Sequence, residues 1–268
     1  MSVRVHHLNC GTMRPYGAPD GLVCHVLLLE TDKGLALVDC GFGTRDIASP
    51  GKRFGPIRFF VRPAFDAAET AVHQIKSLGF KPSDVRDVVL THFDGDHTGG
   101  LADFPWARTH LTTEEAAGVK YPGTLLEKQR YRPSQRDHDP TLVIHAPSAG
   151  DVWRGFANAK ELTQVAPGVV LISLPGHTRG HAAVAVDAGD HWVMHVGDAF
   201  YHHTQLDGTA RPPVSLRMLE RSVALDWGRV KANHERLTEL WNADEPDLML
   251  VNAHDPTLFR RARSRETA

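Results

Sequence analysis

The stretch THFDGDHTGG, residues 91 to 100, sets His92, Asp94, Asp96 and His97 within six consecutive positions. Neutral imidazole and carboxylate together are a ligand set for zinc, manganese or iron. Charged groups crowd at one place when something compensates them, and bound cations would do so. The same residue types recur later. His177 and His181 lie in PGHTRGH, Asp198 in GDAFY, and His254 precedes Asp255 in NAHD. One strand-end histidine is more often a solvated surface residue. His92, Asp96, His97, His177, Asp198 and His254 taken together read as a metal centre, with donors enough for two ions and a carboxylate such as Asp198 to bridge them. Gly99-Gly100 is expected to let the backbone turn tightly beneath the cluster.

Such donors need elements that bring them to one rim. Apolar runs at 22–29 and 35–39, separated by a turn, read as a β-hairpin. A glycine-rich loop follows at Asp39, and 44–65 reads as an irregular, flap-like segment. Helical spacing runs from an Asp66 cap through Ala68, Val72, Ile75 and Leu78 to a stop at Gly79. A strand over 85–91 leads into the quoted stretch. A capped helix begins at 112–118, and the polar, Pro- and Arg-bearing segment 121–151 reads as an insertion or lid. A strand over 169–174 ends before His177, the pair 182–186 and 192–196 ends at Asp198, and a strand over 248–254 ends at His254, with a helix over 228–242 before the last. A hydrophobic strand ending in a charged residue aims that residue at a sheet rim, a usual place for a site in layered α/β proteins.

The bulk properties narrow the function. The chain has 268 residues, 41% hydrophobic and 23% charged, with a formal net charge of −2. That is enough chain for a substantial core, and 1–268 reads as a single domain because no linker divides it. Without a basic stripe, nucleic acid is not an expected partner. No window is long and apolar enough for a membrane span, and the start MSVRVHHLNCGTMRPYG has no signal-peptide apolar core. Three cysteines, Cys10, Cys24 and Cys40, form no paired pattern. Their sparseness fits a reducing compartment, so a cytoplasmic location is expected. The 17 histidines are an excess that points mildly to metal chemistry.

The order THxDxDHxGG, PGHTxGH, GDA and AHD resembles the metallo-β-lactamase-fold hydrolases over nearly the whole chain. The resemblance implies an α/β fold, a four-layer αββα sandwich with metals at one sheet edge. It implies that His92 and His177 hold a first metal, that Asp96, His97 and His254 hold a second, and that Asp198 bridges them. The usual motif is HxHxDH, and Asp94 stands where that motif has a histidine. Asp94 is therefore read as a first-metal ligand, or else as a partner orienting a histidine. A carboxylate there would make the metal a poorer Lewis acid and suit a harder ion. Zn2+ is the first choice for both sites, with Mn2+ or Fe2+ as alternatives. GDAFY resembles the GDxxY of N-acyl homoserine lactonases, so Tyr201 matches a tyrosine that hydrogen-bonds the substrate carbonyl; packing against a lid is the other reading. Asp39 and His181 read as residues that hold the site's loops, His195 as a satisfied core histidine, and His202 and His203 as exposed loop residues.

The expected function is hydrolysis at a dinuclear centre, in which a hydroxide bridging the metals attacks a carbonyl and Tyr201 polarises its oxygen. Asp96 would pass a proton to the leaving alkoxide. A lactone or other small ester is the leading substrate. A thioesterase resembling hydroxyacylglutathione hydrolase, or a phosphodiesterase, is the alternative. A β-lactam is disfavoured, since such lactamases usually give the Asp198 position to cysteine or histidine. A metal-binding regulator or effector of the same fold is the non-enzymatic alternative.

Overall fold

Apolar residues run continuously along the central strands, so each buries two faces. The computed structural model describes residues 3–146 and 151–266. Its first sheet has the order β1 (Arg4–Met13), β2 (Leu22–Thr31), β3 (Gly34–Val38), β4 (Val85–Val89), β5 (Arg108–Thr112), β6 (Thr141–His145). A small hairpin of β7 (Val152–Trp153) and β8 (Phe156–Ala157) precedes the second sheet. That sheet comprises β9 (Ala159–Glu161), β10 (Val169–Ser173), β11 (Ala182–Asp187), β12 (Trp192–His195) and β13 (Leu248–Val251), adjacent in this order.

The helices are α1 (Thr44–Ala48), α2 (Pro50–Phe54), α3 (Arg58–Val61), α4 (Ala71–Ser77), α5 (Gly95–Thr98) and α6 (Thr113–Lys120) in the first half of the chain. Then come α7 (Leu125–Arg130), α8 (Thr204–Asp207), α9 (Val214–Val223), α10 (Trp227–Asn242) and α11 (Pro256–Glu266).

Period two decides the layers. Leu27, Leu29, Val38 and Val89 of the first sheet share one buried cluster with Leu171, Val184, Val193 and Val251 of the second. The alternate residues Leu28, Leu37 and Val88 face outward onto Ala71, Ile75 and Val119 of α4 and α6. Ile172, Ala183 and Met194 face outward onto Leu237 and Leu240 of α10. Helix, sheet, sheet and helix are thus stacked, the αββα sandwich expected. α11 closes the side of the stack against β1, β2 and β13.

The hairpin, the strands at 85–91 and 169–196, and the helix at 228–242 form nearly where expected. Other elements differ. β1 is a full edge strand whose sequence, RVHHLNCGTM, hides its period behind buried His6 and His7. The expected helix from Asp66 divides: Asp66 caps a 3-10 turn over Ala67–Glu69, and α4 starts after Thr70. The flap 44–65 contains three short helices. The segment 121–151 supplies α7 and β6, and its residues 147–150 lie outside the described ones. Among the described residues no helix is long and apolar enough to cross a membrane.

Several imidazoles are built into the interior. His110 Nε2 donates to Asp87 Oδ1 at 2.7 Å, which leaves its Nδ1 to accept from His145 Nε2 at 2.9 Å. Burial, then the charges of His110 and Lys160, lower the His145 pKa to about 4. The unfolded chain therefore binds a proton that the folded chain refuses between pH 6.5 and about 4, and stability is lost as pH falls through that window. The stability advantage of wild type over His145→Gln, read from urea unfolding, is expected to shrink from pH 7 to pH 4.5. An advantage that grows on acidification would contradict a neutral buried His145.

Candidate metal centre

Strands from both sheets end at one rim. β4 runs into His92 and then α5, which carries Asp96 and His97. β10 ends shortly before His177, β12 before Asp198, and β13 before His254. His92, His177 and Asp198 form one group whose donor atoms lie within 4.8 Å of one another, and Asp96, His97 and His254 form a second.

Asp198 lies between the groups. Its Oδ2 is 3.5 Å from His177 Nε2 and 4.0 Å from His92 Nε2. Its Oδ1 is 3.2 Å from His97 Nε2 and 3.1 Å from His254 Nε2. His254 Nε2 is also 3.5 Å from Asp96 Oδ2. Donors held about 2.0–2.1 Å from a common tetrahedral centre sit about 3.4 Å apart. These spacings therefore suit two ions sharing the Asp198 carboxylate. The buried atoms His92 Nε2, His97 Nε2 and Asp198 Oδ1 have no hydrogen-bond partner within the protein. Buried polar atoms are rarely left so, and a cation among them would satisfy all three.

The imidazoles are held from behind. His97 Nδ1 donates to Asp39 Oδ2 at 2.7 Å. Thr91 Oγ1 donates to the same carboxylate at 2.8 Å, and so receives His92 Nδ1 at 3.0 Å. His254 Nδ1 donates to Val23 O at 2.8 Å. In each case the bound Nδ1 fixes the tautomer and leaves Nε2 free for the centre. Asp39 does this from a left-handed backbone, φ 57°, at the end of the hairpin. Such a conformation persists where surroundings enforce it. His181 takes no place in either group. It links Leu174 O to the Asp198 amide through its two nitrogens, both at 3.0 Å.

The glycines have a reason other than a turn. A Cβ on Gly99 would strike the Asp46 carboxylate and Gly41 O, and one on Gly100 would reach 2.6 Å from Cys40 O. The loop after β3 and the loop after α5 touch as bare backbone, joined by Gly100 N to Gly41 O at 3.0 Å.

Asp94 stands beside the first group. Its Oδ2 is 3.0 Å from His177 Nε2 and 3.4 Å from His92 Nε2. Its Oδ1 faces the Arg130 Nε at 3.3 Å. Burial opposes its ionisation, but Arg130 and then His92 outweigh that and hold the carboxyl well below its usual range. Burial likewise opposes a charge on Asp198, and His254, His97 and His177 overcome it. Tyr201 OH donates to Asp198 Oδ2 at 3.0 Å. Burial, then the charges of Asp198 and Asp96, raise the phenol well above its usual pKa, so it stays a proton donor.

Two residues at this site carry no signal in a strand-end pattern. Glu115 of α6 is buried, and its Oε1 accepts from Phe93 N at 2.8 Å and Tyr131 OH at 3.1 Å. Its Oε2 accepts from Thr178 Oγ1 at 2.7 Å and Gly180 N at 3.0 Å. Arg130 comes from the segment read as a lid, where its neighbours suggest only a solvated face. His202 and His203 are half-buried rather than exposed. They stack on each other, and His203 Nδ1 donates to Asp255 Oδ2 at 2.8 Å. His195 is a satisfied core histidine, with Nε2 donating to His25 O at 2.8 Å.

A cleft of about 170 Å³ opens beside the centre. Asp94, Asp96 and Arg130 line its floor, and Phe54, Ile57, Val61 and Leu126 line its walls. Both the flap 44–65 and the segment 121–151 thus reach it.

Residues 19–232 match the Metallo-beta-lactamase superfamily. The chain belongs to this superfamily. A probable metallo-hydrolase of Mycobacterium tuberculosis is 54% identical over 261 residues, 97% of this chain and 83% of that protein. An N-acyl homoserine lactonase of Agrobacterium fabrum is 31% identical over 119 residues, 41% of this chain and 45% of that one. A solved N-acyl homoserine lactone hydrolase, with N-hexanoyl-L-homoserine bound at its catalytic metal centre, aligns over 97% of both chains. Its TM-score is 0.69 at 18% identity, a likeness of metallo-β-lactamase fold.

Proposed function

We propose that the chain, acting as one domain, is a two-metal hydrolase of ester bonds with a small lactone as its leading substrate class. The observation that carries this reading is Asp198: one carboxylate oxygen faces each group of donors, and Tyr201 OH rests on the same carboxylate. His92, His177 and Asp94 would hold the first ion, Asp96, His97 and His254 the second, and Asp198 both. Zinc suits the imidazole-rich set, and manganese or iron would gain from the extra carboxylate. When bound, the ions lower the pKa of water and polarise a carbonyl oxygen.

The protein's own groups do the rest. Tyr201 is a protonated donor that can turn from Asp198 to an oxygen gaining negative charge. Asp96, its side chain 22% exposed, can reach both the cleft and the second group, and so can hand a proton to a leaving alkoxide. The apolar walls of the cleft would receive the hydrocarbon part of an ester and exclude water from it. The lactonases among the relatives support the choice of lactone.

A panel of N-hexanoyl homoserine lactone, an acyl thioester and bis-p-nitrophenyl phosphate, given to metal-loaded protein, tests this. Lactone turnover ahead of the others is expected. Preference for the thioester or the diester would move the substrate class, and full metal occupancy with no turnover would leave a binding protein. Tyr201→Phe is expected to keep its metal and lose roughly 100-fold in kcat, the scale of one oxyanion donor. An unchanged rate would remove Tyr201 from the chemistry.

A further inference from the structure

Arg130 makes three contacts from a side chain only 6% exposed. Its Nε faces Asp94 Oδ1 at 3.3 Å, its Nη1 donates to His177 O at 3.0 Å, and its Nη2 donates to Val223 O. A guanidinium is suited to this because its donors diverge in one rigid plane. α7 delivers it, and α7 is itself fixed by a capping box between Thr124 and Glu127. Glu127 is tied in turn to Arg179, next to the His177 loop, at 2.7 Å.

We propose that Arg130 is a positioning residue for the first metal site, coupled to it through Asp94. The inference rests on the two-metal reading above. Asp94 must offer Oδ2 to the space shared by His92 and His177, and its other oxygen must be held elsewhere. Arg130 draws that oxygen by its charge, as an ion pair and not a hydrogen bond, and through His177 O it holds the loop that carries the second imidazole. The pair also settles a question of charge. Asp94 alone would place a second carboxylate beside Asp198, whereas Asp94 with Arg130 adds no net charge. An ion pair thereby does the work of one neutral ligand, with its carboxylate on the metal and its guanidinium behind. The second group, built from Asp96, His97 and His254, has no contact with Arg130 among those described and should be indifferent to it.

The test is a double-mutant cycle read by metal binding. Wild type, Arg130→Met, Asp94→Asn and the double variant are stripped, then titrated with Zn2+ by calorimetry, with elemental analysis of the loaded forms. Arg130→Met is expected to weaken one site by about 10- to 100-fold, the range for partners that orient a ligand, and leave the other site unchanged. In the Asp94→Asn background the same substitution should cost clearly less, leaving only the part carried by His177 O. Arg130→Lys keeps the charge and most of the stem, but one ammonium cannot span the three acceptors, so it should weaken the same site. Additive losses in the cycle would overturn the coupling through Asp94. Tighter zinc binding by Arg130→Met would show that Arg130 only repels the ion, and would overturn the positioning role. A loss at both sites that follows a fall in the melting temperature of the metal-free variants would make Arg130 merely structural. Wild type that takes up no metal would overturn the two-metal reading itself, a result distinct from any of these.

Discussion

Asp198→Ala is expected to emerge with neither site stably filled and with ester hydrolysis down by about three orders of magnitude. The expectation follows from what the carboxylate touches. His92, His177, His97 and His254 all point an Nε2 toward it within 4.0 Å. Tyr201 OH depends on it as well. Removing it leaves four buried imidazoles with no anion common to all of them, and a divalent ion entering either group would lose the carboxylate that the two groups share. Lewis-acid stabilisation is worth several kcal/mol, and each 1.4 kcal/mol is about tenfold in rate. Elemental analysis beside a lactone assay reads both effects. A variant that stays active with two ions per chain would show that Asp198 does not bridge.

Glu115→Ala is expected to be the more damaging change for the fold. Its carboxylate is the acceptor for four donors: Phe93 N, Tyr131 OH, Thr178 Oγ1 and Gly180 N. Each buried donor left without a partner costs about 1–3 kcal/mol, and water entering the gap would recover a part. A loss of about 4 kcal/mol or more is expected in urea unfolding of the metal-free chain. Glu115→Gln keeps the shape and one acceptor, so about half that loss is expected. The residue joins the loop after β4 to the loop after β10, so metal affinity should fall with stability. An alanine variant as stable as wild type would mean that the two loops are held by something else.

The metal-ligand candidates were legible because of a simple physical coincidence. Strands that are buried on both faces are continuous apolar runs, and a charged residue at the end of such a run stands out. His92, His177, Asp198 and His254 each follow a run of that kind. The order of elements was legible for the same reason. What escaped has local sequence that looks like something else. β1 is an edge strand with a histidine buried on each face, His7 inward and His6 outward, so its alternation is not one of hydrophobicity. His6 is buried there with its ring nitrogens 2.7 Å from Glu30 and 2.5 Å from Glu266, partners 24 and 260 residues distant. α9 and α11 escape because many of their residues are charged or exposed, which masks their apolar period. Arg130 and Glu115 are ordinary helix residues by composition. Only the folded chain shows that one is buried against Asp94 and the other against four donors. The doubled glycine serves contact instead of a turn: it admits a neighbouring backbone, and no turn at Gly99 demands it.

The candidate centre also has a mechanical aspect. His92, Asp94, Asp96 and His97 belong to the first sheet's strand ends, and His177, Asp198 and His254 to the second's. Filled sites would tie the two sheets together at one rim, as a clasp closes a book whose spine is the interleaved Leu29, Val38, Leu171 and Val184. Any motion that slides one sheet over the other would then have to break several coordination bonds at once. Removing the metal should therefore speed unfolding far more than it slows folding, because the clasp can close only after both sheets have formed. Unfolding rates with and without chelator, measured at equal denaturant, would show whether the rim opens first.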